Sequence, residues 1–218
     1  MTLLLARHGQ SVWNAARRFQ GSIDVGLSEL GRSQALALGR ALRGRRLATA
    51  YVSPLRRAVE TAEIAVEGLG VPLSVLDDLR ELSLGAWEGR TVEEVRAGDG
   101  DPYLQWLLAP LDCPPPASER LAEVATRVLA VVEQIVANHP DGGEVLVVSH
   151  GGVISTYLCH LLGLSLNRLW RLRVDNASLT VVRPPRLITL NETAHLAHAS
   201  PSAGFARAAD GGRFGRGA

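Results

Sequence analysis

The chain has 218 residues, 46% of them hydrophobic, with 23 basic and 22 acidic side chains and a formal net charge of +1. That length and apolar content suffice for one domain with a sizeable core, and near-neutrality gives no electrostatic case for nucleic acid or for an anionic membrane surface. Every basic residue is arginine, which excludes a P-loop lysine and a Schiff-base lysine.

Leu3, Leu4, Leu5 and Ala6 form an uninterrupted apolar run that reads as a buried strand and stops abruptly at Arg7, His8 and Gly9. The C-terminal ends of strands in an open α/β sheet face the crevice where ligands bind. Residues 8–25 have loop chemistry, with Asn14, Gln20, Gly21 and Asp24. Ser28 predicts the N-cap of a helix reaching about Leu42, with Leu30, Ala35, Leu38 and Leu42 on one face. Residues 50–52 read as a short strand, and Ser53-Pro54 predicts a helix with proline at its first position, ending near Glu67. Arg56 then falls in the first turn of that helix. Residues 71–76 read as a third strand and 77–89 as an acidic loop carrying Glu81 and Glu88.

Thr91 with Glu94 matches a capping box and predicts a short helix. Residues 99–116 are irregular and proline-rich, with Tyr103 and Trp106, and read equally as a lid over a site or as a surface excursion packed by its aromatics. Residues 118–139 predict the longest helix, with a core stripe of Leu121, Val124, Val128, Val131, Val132 and Ile135. Residues 145–149 repeat the opening pattern, an apolar run ending at His150-Gly151-Gly152, followed by a helix over 152–162 that ends at Gly163. Residues 172–174, 178–183 and 186–190 read as strands, the last two as an edge hairpin joined at Pro184-Pro185. Alternating strands and helices predict a three-layer α/β/α sandwich with a mainly parallel central sheet and an antiparallel edge strand. Residues 1–198 form a single domain in this reading, and 199–218, rich in Ala, Gly, Ser and Arg, a disordered tail. The apolar edge hairpin permits a homodimer without demanding one.

Cys113 and Cys159 sit in no metal or redox spacing, and the N-terminus enters a strand at once. A reduced, cytoplasmic protein without signal peptide or spanning helix is therefore expected.

Two strand-end histidines, two arginines and a carboxylate are the groups needed to handle a phosphate monoester. Arg7 and Arg56 supply permanent forked donors for the dianion, with His150 and the Asn14 amide adding to them and Gly151 letting the backbone approach. His8, beside Arg7, is biased towards the neutral form and can accept the phosphoryl group. Glu81 is the best proton donor for the departing alkoxide, and Glu88 the second choice.

Arg7-His8-Gly9 with Asn14, the Arg-x-Gln-Gly of residues 18–21, Ser53-Pro54-Leu55-x-Arg57-Ala58-x-x-Thr61-Ala62, Glu81-Leu82 with Gly85-x-Trp87-Glu88-Gly89, and Ser149-His150-Gly151-Gly152 together resemble the histidine phosphatase superfamily, in its phosphoglycerate-mutase-like branch. The resemblance runs from Leu3 to about Leu196. It implies His8 as nucleophile, Arg7, Arg56 and His150 as the phosphate pocket, Glu81 as proton donor, Asn14 and Gln20 with its neighbour Gly21 as further substrate contacts, and no metal or other cofactor.

Gly26 stands where relatives commonly carry proline, and residues 117–120, Ala-Ser-Glu-Arg, where many carry Gly-Gly-Glu-Ser. The expected function is a metal-independent phosphomonoesterase acting on a small metabolite such as a phosphoglycerate, phosphoserine, phosphosugar or ribazole phosphate. The alternative is a phosphoglycerate mutase using the same phosphohistidine, whose relatives typically carry a longer insertion after the catalytic glutamate. A non-catalytic binding module predicts loss of a catalytic residue, and none is missing. His195 and His198 have no third ligand at suitable spacing, His139 and His160 read as structural, and Trp13 and Trp87 as packing or rim residues.

Overall fold

The structure, a computed structural model, describes residues 1–199. Six strands, β1 (Thr2–Arg7), β2 (Leu47–Val52), β3 (Leu73–Val75), β4 (Glu144–Ser149), β5 (Leu179–Arg183) and β6 (Arg186–Glu192), form one sheet in the order β3-β2-β4-β1-β5-β6. The first four in that order run parallel; β5 and β6 are antiparallel and form the expected edge hairpin.

Among the described residues the seven α-helices are α1 (Val12–Ala15), α2 (Glu29–Leu42), α3 (Arg56–Val66), α4 (Val92–Arg96), α5 (Pro102–Leu108), α6 (Leu121–Ala137) and α7 (Gly151–Leu161). Strand side chains alternate between two faces. Leu3, Leu5, Val145 and Val147 therefore share a core with α6 and α7, while Leu4, Ala6, Leu146 and Val148 share one with α2 and α3. Both faces of β1 and β4 are covered, which explains their continuous apolar runs.

Local signals place most helix starts. Ser28 accepts the Gly31 amide at the head of α2, Thr91 and Glu94 close their capping box on α4, and Asp101 caps α5, which has Pro102 in its first turn. Two starts and one strand depart from expectation. Helix α3 begins at Arg56 behind an N-cap Leu55, two residues beyond Pro54, and α6 begins at Leu121, not residue 118. Residues 172–174 are not a strand; the segment before them is a 3-10 helix, Leu166–Arg171. Residues 200–218, nearly all of the expected tail, lie outside the described residues. Among the described residues no helix is long and apolar enough to cross a membrane.

Candidate active site

Parallel pairing of β1 with β4 puts Arg7 opposite Ser149, so the next residues, His8 and His150, leave the sheet side by side. Their ring centroids are 5.1 Å apart with planes tilted by 58°. Strand β2 pairs Val52 with Val148 on the other flank of β4, which brings Ser53 to His150: its Oγ lies 2.7 Å from His150 Nε2.

The His8 ring is buried, and its Nδ1 lies 2.7 Å from the Gly9 carbonyl oxygen. A carbonyl can only accept, so Nδ1 carries the proton and Nε2 keeps the lone pair. Burial first, then the charges of Arg57 and Arg7, hold the His8 imidazole well below its usual pKa. His150 is held down likewise, by burial and then by Arg57, and its Nδ1 is buried without a hydrogen-bond partner.

Arg7 donates Nη1 to the Val174 carbonyl at 2.7 Å, and its Nε is buried without a partner. The second cation of the site is Arg57, and this corrects the assignment of Arg56. Arg57 is fully buried and donates Nη1 to Ile23 O and Nη2 to Gly21 O, each at 2.8 Å, with an unpartnered Nε. Burial lowers its pKa to about 10 against the pull of Glu81, so it remains a cation at neutral pH. Arg56, with its side chain 64% exposed, pairs with Glu60 at 2.6 Å. Successive helical residues turn by roughly 100°. Arg57 thus shares the inner face with Thr61 and Ala65, while Arg56 shares the outer face with Glu60. Thr61 also receives the Gly9 amide at 3.0 Å, tying the loop that follows His8 to α3.

Glu81 comes from the loop after β3 and accepts the Leu82 amide on Oε1 at 3.1 Å and the Gly152 amide on Oε2 at 3.2 Å. Burial raises its pKa, opposed by Arg57 and these two amides. Backbone approach is tight at Gly152, where a Cβ would lie 2.6 Å from Glu81 Oε1, and not at Gly151, where the nearest atom, Arg7 Nε, would be 3.6 Å away. Glu88 holds the loops: its Oε1 accepts from the Ser22 and Leu84 amides and from Ser83 Oγ.

Asn14 Oδ1 accepts the Ser11 amide and Asn176 Nδ2, and Gln20 Oε1 accepts Ser11 Oγ at 2.6 Å. Both amides therefore keep their NH2 groups as donors for the cavity they line. That cavity, about 240 Å³, is walled by Arg7, His8, Asn14, Gln20, Gly21, Arg57, Glu81, Gly151 and Gly152. Phe19, Leu82, Leu84, Trp106, Trp170, Leu172 and Val174 complete it, with Arg18 and Ser155. His150 packs behind His8 without lining it, and Arg56 and Glu88 lie outside it.

Helix α5 reconciles the two readings of residues 99–116, since Trp106 is a core residue and also a wall of the cavity. Residues 117–119 line, with Arg80 and Ser83, a second hollow that shares Glu81. Sequence reasoning missed Arg57, Ser53, Thr61, Trp170 and Asn176 as site residues. The first three stand within the quoted motif around α3; Trp170 and Asn176 stand in no motif. His195 donates Nε2–H to Ala177 O at 2.9 Å, and no cluster of three His, Cys, Asp or Glu suited to a metal occurs among the described residues.

The model of the histidine phosphatase superfamily (branch 1) matches residues 3–186. The chain belongs to that superfamily. Phosphoserine phosphatase 1 of Hydrogenobacter thermophilus, a relative of this histidine phosphatase chain, is 35% identical over 89% of this chain and 93% of its own. The mycobacterial glucosyl-3-phosphoglycerate phosphatase solved as a complex with VO3 superposes with a TM-score of 0.80 at 34% identity, over 88% of this chain and 98% of that one. The protein named probable phosphoglycerate mutase GpmB of Erwinia tasmaniensis is 32% identical over 84% of both chains. The superfamily thus includes relatives named for hydrolysis and for phosphoryl relocation, with phosphatase names on the first two.

Proposed function

We propose that this protein is a metal-independent phosphomonoesterase that works through a phosphohistidine on His8. One observation carries the reading: Nδ1–H of His8 is committed to the Gly9 carbonyl, so the Nε2 lone pair belongs to a ring walling a cavity with Arg7, Arg57 and Glu81. The two guanidiniums supply the positive charge that a phosphoryl-transfer transition state needs. Their unpartnered Nε–H groups are further donors for phosphate oxygens.

In the first step Nε2 attacks phosphorus, the P–O bond to the alcohol breaks, and Glu81 passes its proton to the departing oxygen. In the second, water attacks the phosphohistidine, Glu81 takes the water proton, and phosphate leaves with His8 restored. The raised pKa of Glu81 favours the protonated form that the first step requires. His150, packed against His8 with Ser53 on its Nε2, holds the nucleophile's ring from behind in this reading. The two free cysteines suit a reducing, cytoplasmic setting.

Phosphate release from small phosphomonoesters in EDTA, with His8→Ala as control, tests the reading. Release that tolerates EDTA and disappears in the variant is expected. Isomerisation of phosphoglycerate without phosphate release would make the protein a mutase, and an active His8→Ala would remove the nucleophile.

A further inference from the structure

We infer that the physiological substrate is the phosphate ester of an uncharged alcohol presenting an apolar, flat face, and that Trp170 is a residue that selects it. The inference rests on the hydrolase reading and deepens it. The titratable side chains of the cavity wall are Arg7, His8, Arg18, Arg57 and Glu81. Four of them serve the phosphate and the proton transfer, which leaves Arg18 as the one further charge of this wall; in the adjoining hollow that shares Glu81, Glu119 is already paired with Arg127 and Arg80 with Asp77. Its side chain is exposed, and its Nη1 already donates to the Gly89 carbonyl at 2.6 Å.

A phosphoserine-like ammonium finds no carboxylate in this wall other than Glu81, whose two oxygens hold amides and whose proton the reaction uses. A substrate carboxylate would have to dock on the exposed Arg18, where solvent weakens the attraction. Beyond the amides of Asn14 and Gln20, which face the phosphate, the uncharged wall is mostly apolar, with Phe19, Leu82, Leu84, Trp106, Leu172 and Val174; its polar atoms are the Ser155 hydroxyl and the unpartnered Nε1–H of Trp170, neither of which carries a charge. The Trp106 and Trp170 rings are 4.5 Å apart between centroids, and Trp106 is fixed from behind by Trp87 at 5.5 Å and by the edge of Phe19 at 6.2 Å. A rigid aromatic wall beside a phosphate clamp rewards a flat apolar group through burial and ring contact, and leaves any buried charge unpaired. Trp106 is buried in the core, whereas Trp170 is only half-buried, so Trp170 is the aromatic that can be truncated with the least cost to the fold.

The test compares kcat/KM for benzyl phosphate, ethyl phosphate and phosphoserine, all of which release a primary alkoxide, so differences report binding of the rest of the alcohol. Benzyl phosphate is expected to exceed each of the others by on the order of tenfold or more. Trp170→Ala should lower the benzyl-to-ethyl ratio at least fivefold, and Trp170→Phe should keep it. Preference for phosphoserine, or a benzyl-to-ethyl ratio unmoved by Trp170→Ala, overturns the inference while leaving the hydrolase intact. Phosphate release from none of the three, in a protein that isomerises phosphoglycerate, overturns the hydrolase reading and this inference with it.

Discussion

Gly152 and Glu81 lie so close that a side chain at residue 152 would displace the carboxylate: the Gly152 amide donates to Glu81 Oε2 at 3.2 Å, and a Cβ there would run into Leu82 Cδ2 and come within 2.6 Å of Glu81 Oε1. Gly152 lies in the first turn of α7, where alanine is otherwise the better helix former. Gly152→Ala therefore tests the contact and not the backbone. Overpacking of this kind costs roughly 1–3 kcal/mol, so the variant should fold and unfold at a somewhat lower temperature. Displacement of the carboxylate should lower kcat by about tenfold or more, since placement errors near 1 Å can cost on the order of a hundredfold. Wild-type kcat in Gly152→Ala would show that a Cβ at this position does not displace the Glu81 carboxylate.

The acid role of Glu81 has a signature in the leaving group. An alkoxide needs a proton as it departs, whereas 4-nitrophenolate does not. Glu81→Gln should lower kcat/KM for benzyl or ethyl phosphate by about 10²–10⁴, the usual worth of a general acid. The loss on 4-nitrophenyl phosphate should be smaller by at least tenfold in the same assay. Equal losses on both classes would assign Glu81 to binding and not to proton transfer.

Arg57→Ala and Arg56→Ala should separate cleanly. Arg57 is the buried cation opposite Arg7, bonded to Gly21 and Ile23, and its removal should reduce kcat/KM by on the order of 10²–10³, as for other fixed donors to a developing charge. Arg56 loses only an exposed pair with Glu60, worth at most about 1 kcal/mol, and its kcat/KM should stay within about threefold of wild type. The reverse ranking would return the assignment to Arg56.

That pair of arginines also marks the limit of what the sequence alone conveys. The strand ends at His8 and His150 were legible because both are preceded by apolar runs, and a parallel pair of buried strands needs nothing else to bring them together. The capped helices were legible from Ser28 and Thr91. The start of α3 was not, because Leu55 caps it without a side-chain bond, and a two-residue error in the start leaves open which of two neighbouring arginines faces inward. Trp170 and Asn176 were hidden for another reason. They come from the short 3-10 helix and the loop between α7 and β5, where the segments are too short for a periodicity to report which side chain points at the site.

Two buried neutral histidines and one half-buried carboxyl make stability depend on pH. His8 and His150 have folded pKa values well below the usual one, so the unfolded chain takes up their protons first. The stability they contribute is complete above about pH 6.5 and is lost as pH falls towards the folded values, by up to about 2.7 kcal/mol per pH unit for the two together. Glu81 acts in the opposite sense: its raised folded pKa gives a contribution present below the unfolded value of about 4.3 and lost as pH rises through the folded one. Where its range overlaps, it offsets up to about 1.4 kcal/mol per unit. Urea unfolding at pH 7.5 and 5.5 should show lower stability at the acid value, with a shallower fall in His150→Asn. Stability that rises on acidification over this range would contradict the burial of both rings as neutral groups.

Asn176 and Asn14 supply the last expectation. Asn176 Nδ2 donates both to the His8 carbonyl at 3.1 Å and to Asn14 Oδ1 at 3.2 Å, so it holds the strand end and sets which way the Asn14 amide points. Its neighbour Ala177 adds a backbone amide to the Arg7 and His8 carbonyls, at 3.0 and 3.1 Å. Asn176→Asp puts an acceptor where these two acceptors need a donor, which favours turning Asn14 over and withdrawing its Nδ2 from the cavity. The Ser11 amide, 3.1 Å from Asn14 Oδ1, resists that turn, so the loss is partial. One neutral hydrogen bond is worth about 1 kcal/mol, or roughly fivefold. KM for a small phosphomonoester and the inhibition constant of inorganic phosphate should therefore rise together by about threefold to tenfold in Asn176→Asp, and by less in Asn176→Ala. If kcat falls while both constants hold, Asn176 acts through the His8 carbonyl on the nucleophile and not through Asn14 on the phosphate.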